Sequence, residues 1–150
     1  DLEYIRKIII SINPKKNDLV LEIGPGLGAI TIPILKYIDK ITAIEIDQDM
    51  IDQLIKKIPD EKITIYNEDF LKIDSLEFNN FTHIIGNLPY YISSAILMKI
   101  AKLNADSIIL AHGGEVKLSQ QDFEQVLAKA PTEPMTHWRS VKSKLRKSFS

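Results

Sequence analysis

Residues 86–91 read Gly-Asn-Leu-Pro-Tyr-Tyr and follow directly on the apolar run 81–85. An ordinary turn draws on Gly, Asn and Asp and keeps its aromatics elsewhere. Here a polar edge, a locked proline and an aromatic face stand side by side, which suits a planar, nitrogen-bearing substrate. The exocyclic amine of adenine is a poor nucleophile because its lone pair is delocalised into the ring. Two acceptors, the Asn87 side chain and the Leu88 carbonyl, would hold both amine hydrogens and favour a more tetrahedral nitrogen with an exposed lone pair. Pro89 fixes φ and stiffens its neighbours, and Tyr90 can stack on a flipped-out base. No strong general base is needed, since the nitrogen can lose its proton after transfer. Catalysis would then rest on positioning and aligned dipoles. A plain turn is the bland alternative.

A second cluster precedes it. Residues 21–31 (LEIGPGLGAIT) place Gly24, Gly26 and Gly28 between an expected strand and an expected helix. There the backbone can approach a ligand closely and a helix N-terminus offers free N–H groups. Which nucleotide is bound stays open, because Gly24, Gly26 and Ala29 also fit the relaxed dinucleotide fingerprint. Glu45 ends the next strand, where a carboxylate can accept from both ribose hydroxyls. Asp69 ends the third, able to accept from an adenine amine while Phe70 packs on the ring. An aspartate after a strand is more often a cap or turn residue.

These residues need a scaffold that brings strand ends together. Apolar periodicity predicts a helix over 2–12, strands over 18–23, 40–46, 62–67, 81–87 and 106–112, and helices over 29–38, 47–58 and 93–103. The helix over 47–58 carries acids in its first turn and lysines in its last, matching the macrodipole. Strands rich in Ile that alternate with helices predict an α/β fold, a doubly wound, mostly parallel sheet covered on both faces. The sheet reverses at strand one, so residues 87–90 lie beside the glycine loop.

The 150 residues, 45% of them apolar, suffice for one core, and the net charge of −1 gives no general reason for nucleic-acid or membrane binding. With no cysteine, thiolate metal sites and cysteine nucleophiles are excluded; a reducing, cytoplasmic setting is expected, and no metal is assigned. No apolar run approaches bilayer length and no signal peptide is found, so no membrane partner is expected. Composition breaks near residue 110. Residues 1–110 hold 26 isoleucines and a formal charge of 12 − 16 = −4, whereas residues 111–150 hold none and carry 7 − 4 = +3. The chain therefore divides into a core, 1–110, and a divergent, basic tail, 111–150. The tail has candidate helices over 119–130, capped by Ser119, and over 135–149, with Trp138, Val141, Leu145 and Phe149 on one face. A solvated face with a packing stripe is the ordinary account of that tail; contact with RNA or a membrane surface is the alternative.

The segments VLEIGPGLGAIT, AIEID, NEDFL and GNLPYYIS, in this order and spacing, resemble the KsgA (RsmA) family of ribosomal RNA small-subunit adenine dimethyltransferases, over about residues 1–110. The resemblance implies a class I, Rossmann-like methyltransferase fold and S-adenosylmethionine as methyl donor. It also implies methylation of N6 on two neighbouring adenines of small-subunit ribosomal RNA during ribosome biogenesis, by a monomer. It puts the methionine part of the cofactor on the loop at Gly24, the ribose on Glu45 and the adenine on Asp69, with Asn87 between cofactor and target base. The candidate cofactor set is Glu22, Gly24, Gly26, Gly28, Glu45, Ile46, Asp69, Phe70 and Asn87; the acceptor set is Asn87, Leu88, Pro89 and Tyr90. The family's segment before the first helix and its last two strands have no counterpart here, so a truncated catalytic domain is expected. Two other readings stay open: an Erm-like enzyme acting on large-subunit RNA, and a non-catalytic RNA-binding or assembly factor that keeps the fold.

Overall fold

The computed structural model describes residues 2–74, 80–87, 96, 99, 100, 103 and 105–111. Among the described residues five strands, β1 (Val20–Ile23), β2 (Ile41–Ile44), β3 (Ile63–Tyr66), β4 (Phe81–Asn87) and β5 (Ala105–Ala111), form one sheet in the order β3-β2-β1-β4-β5. Every pairing is parallel. The order reverses beside β1, where a doubly wound sheet leaves a crevice at its carboxyl edge.

Helix α1 (Leu2–Ile12) coincides with its predicted span. Ile5, Ile8 and Ile12 sit at successive turns of one face and join the core, which explains why this segment is a docked helix and not a free one. Within the strands, Val20, Ile41, Ala43, Ile63 and Ile85 share a cluster with Ile30, Ile34, Ile38, Leu54 and Ile58 from the crossovers. The alternate residues Leu21, Ile23, Ile44 and Ile84 face the other side and are also buried. Burial on both faces is why these strands read as continuous apolar runs. Near residue 100 the chain after β4 is helical, and Ile100 and Leu103 are fully enclosed.

Two predicted helices are shorter than expected. Helix α2 spans only Thr31–Ile34. Pro33 lacks the N–H that would continue the ladder between Ile32, which bonds Gly28, and Ile34, which bonds Ile30. The next residues tighten, with Lys36 and Tyr37 bonding three residues back to Pro33 and Ile34. A single turn offers no N-terminal anion site. Helix α3 (Gln48–Leu54) is capped by Asp47, whose carboxylate accepts from the N–H groups of Asp49 and Met50. It ends before Lys56 and Lys57, so the expected lysines lie in the turn that follows and not in its last turn. Lys57 N–H bonds Leu54 O there, a three-residue closure that stops the helix. A 3-10 turn (Asp60–Lys62), which periodicity does not reveal, leads into β3.

Among the described residues no helix is long and apolar enough to cross a membrane. The candidate tail helices over 119–130 and 135–149, Ser119 and Trp138 included, lie outside the described residues, as do Leu88, Pro89 and Tyr90.

Candidate active site at the carboxyl edge of the sheet

The glycine loop leaves β1 at the switch point. Gly24, Gly26 and Gly28 all have positive φ, at 70°, 55° and 89°, which L side chains rarely adopt. Gly28 is also closely packed, since an added Cβ would lie 2.6 Å from Leu54 Cδ1 and 3.1 Å from Ile32 Cδ1, and those side chains would have to shift. Gly26 differs: among the described residues an added Cβ there meets nothing within 4 Å. Its missing side chain leaves open space above the loop, the feature expected where a ligand is cradled.

Glu45 follows β2 and turns back toward this loop. Its Oε2 accepts from Gly26 N–H at 3.0 Å and its Oε1 from Asp47 N–H at 3.1 Å. Two backbone donors offset the cost of enclosing this carboxylate, whose exposure is 8%. A carboxylate has about four lone-pair sites, so two remain for a ligand's hydroxyls. Ile46, next in sequence, is 68% exposed and offers an apolar surface beside it. Turned so that its nitrogen faces acceptors, the Asn67 amide donates to the carbonyls of Glu45 and Ile46 at 3.1 Å each. It thereby ties the ends of β2 and β3 together.

Glu22 stands apart from the other candidates. It lies within β1 between Ala43 and Ile85 on the neighbouring strands, and its exposure is zero. Oε2 accepts from Thr31 Oγ1 at 2.6 Å, and Oε1 has no partner among the described residues. Burial pushes its pKa up to about 7; the Thr31 hydrogen bond opposes this and the charge of Glu45 adds to it. So enclosed, Glu22 acts on the joint between loop and helix through Thr31 and presents no surface to a ligand.

Asp69 is half-buried and winds the turn after β3: its Oδ1 accepts from Leu71 N–H at 3.0 Å and its carbonyl from Lys72 N–H at 2.9 Å. Phe70 packs inward, with its ring centre 5.1 Å from the ammonium of Lys99. Ile46, not Phe70, is thus the candidate with open apolar surface. Lys99 was missed by sequence reasoning. As a lysine on an expected helix it looks like a solvated charge, and only tertiary contact reveals its partners.

The register pairs Ile23 with Gly86, which sets Gly24 beside Asn87, the last residue of β4. Glycine loop, Glu45 and Asp69 thus line one edge, at the ends of three consecutive strands, with the backbone of Asn87 at the end of the fourth. At the opposite edge, Asp18 and His83 pair at 2.9 Å and belong to no part of this site.

Comparison with known proteins places this arrangement. The family described as ribosomal RNA adenine dimethylase matches residues 1–135. The ribosomal RNA small subunit methyltransferase A of Francisella tularensis subsp. novicida is 44% identical over 117 residues, 75% of this chain and 44% of that protein. The protein of the same name from Nitrosomonas europaea is 43% identical over 105 residues, 70% of this chain and 40% of that one. Among solved structures, a dimethyladenosine transferase from Plasmodium falciparum superposes with a TM-score of 0.64 at 30% identity, covering 75% of this chain and 42% of that one. The 23S rRNA methyltransferase ErmE superposes with a TM-score of 0.62 at 25% identity, covering 75% and 46%. The chain spans well under half the length of these relatives.

Proposed function

Because this chain belongs to the ribosomal RNA adenine dimethylase family, we propose that it is the cofactor-binding core of an enzyme that methylates N6 of neighbouring adenines in small-subunit ribosomal RNA, with S-adenosylmethionine as donor. The observation that carries this reading is the register between β1 and β4, which sets the glycine loop beside Asn87 at the switch point. A donor held on the first would lie next to an acceptor held on the second.

The residues present fit the donor. Gly26 leaves the open space its backbone needs. Glu45 keeps lone pairs for two ribose hydroxyls, Asp69 accepts from the adenine amine, and Ile46 covers the ring. When bound, the sulfonium supplies an electrophilic methyl group. On the acceptor side Asn87 and Leu88 hold the target amine by its hydrogens, Pro89 keeps that pair rigid and Tyr90 stacks on the base. The contribution of the protein is orientation and fixed dipoles rather than proton abstraction.

The relatives named as small-subunit enzymes are 43–44% identical to this chain, against 25% for ErmE. That difference favours the small-subunit target over the large-subunit one. The proposal extends to a monomer acting in the cytoplasm, with residues 111–150 as a separate basic segment.

The test is calorimetric titration of S-adenosylmethionine into the 150-residue chain, followed by incubation of the labelled cofactor with undermethylated small subunits. One-to-one binding and label on adenine N6 are expected. Binding without transfer would favour a non-catalytic assembly factor, and absence of binding by a folded chain would sink the proposal.

A further inference from the structure

Lys99 belongs to the helical stretch entered from the acceptor segment, yet its ammonium reaches a different element. It donates to the main-chain carbonyls of Phe70 and Ile73 and lies over the Phe70 ring. Both residues are buried, so these carbonyls sit away from bulk water, where an unpaired acceptor is costly. The turn from Asp69 to Ile73 is therefore closed at its start by the Asp69 carboxylate, which accepts from Leu71 N–H, and at its end by an ammonium from elsewhere. Burial lowers the pKa of Lys99, while Asp69 and Asp74 act to keep it charged.

We propose that Lys99 is a positioning residue for the cofactor's nucleobase: by clamping the turn after β3 it fixes the carboxylate of Asp69 toward the exocyclic amine of adenine. This rests on the proposed function. It adds that base discrimination depends on a side chain that never touches the base.

The test compares the wild-type chain with Lys99→Met, which keeps the stem and loses the ammonium, and Lys99→Arg, which keeps a donor. S-adenosylhomocysteine and its inosine counterpart, which lacks the amine, serve as probes in calorimetric titrations. Wild type should prefer the adenine form. Lys99→Met should lose about tenfold in affinity for the adenine form, the size of one hydrogen bond to a charged group. Affinity for the inosine form should hardly change, and Lys99→Arg should recover the preference. Should Lys99→Met fail to fold, Lys99→Leu, which also lacks a donor, carries the same comparison. An unchanged ratio between the two probes, or an equal loss for both, would overturn the clamp while leaving the proposed function standing. A wild-type chain that binds neither probe overturns both.

Discussion

The carboxylate of Glu45 and the backbone N–H of Gly26 meet at 3.0 Å, nineteen residues apart in sequence and on neighbouring strand ends. One side chain thus holds the glycine loop in shape and keeps spare lone pairs, as the proposed ribose contact requires. Replacing Glu45 with Ala should weaken S-adenosylmethionine binding by about 1–3 kcal/mol, the range for lost hydrogen bonds to a buried charged acceptor. Titration calorimetry on both proteins checks this; equal affinities would remove the assignment.

Gly26 and Gly28 should respond differently to alanine. At Gly28 the new methyl meets Leu54 at 2.6 Å in a backbone with φ of 89°, so Gly28→Ala should destabilise the fold by about 1–3 kcal/mol. At Gly26 no described residue lies within 4 Å, so Gly26→Ala bears only the backbone cost of about 1–2 kcal/mol but fills the space that the proposed ligand would use. Denaturant melts should rank Gly28→Ala as the less stable, while cofactor titration should show the greater loss for Gly26→Ala. The reverse pattern would mean that the open space is not a cradle.

Glu22 ties stability to pH. Its pKa rises from 4.5 in an unfolded reference to about 7 in the fold, chiefly through burial. The native state therefore holds this proton more tightly, and its contribution to stability is complete below about 4.5, declines as pH rises and is gone above about 7. The expected loss is on the order of 3 kcal/mol. Urea melts across that window should slope downward for wild type and flatten for Glu22→Gln; parallel profiles would contradict the assignment.

Asp18 and His83 form a partly buried pair at the amino edge of the sheet. Burial opposes ionisation of Asp18, but the Lys15 N–H and His83 hydrogen bonds and the nearby positive charges outweigh it, holding its pKa below the usual value. Asp18→Ala would leave Nε2 of His83 without this partner, alongside Nδ1, which has none among the described residues. A loss of about 1–3 kcal/mol in stability is expected, with S-adenosylmethionine affinity unchanged at a temperature where the variant is folded. A changed affinity would show that the two edges of the sheet are coupled.

The strand positions, the alternation with helices and the spacing of Gly24, Glu45, Asp69 and Asn87 were legible in the linear chain. Local backbone needs and burial patterns are written residue by residue: glycine where φ is positive, isoleucine where both faces of a strand are covered. Helix lengths were less so, because Pro33 and the closure at Lys57 act through hydrogen bonds that apolar periodicity does not record. Tertiary structure alone decided that Glu22 is sealed under Thr31, that Glu45 braces Gly26, and that Lys99 reaches the turn after β3. Each depends on which side chains from distant segments share a volume. Burial, charge and hydrogen bonding are properties of that shared volume, so the same residue type can be a solvated charge in one fold and a clamp in another.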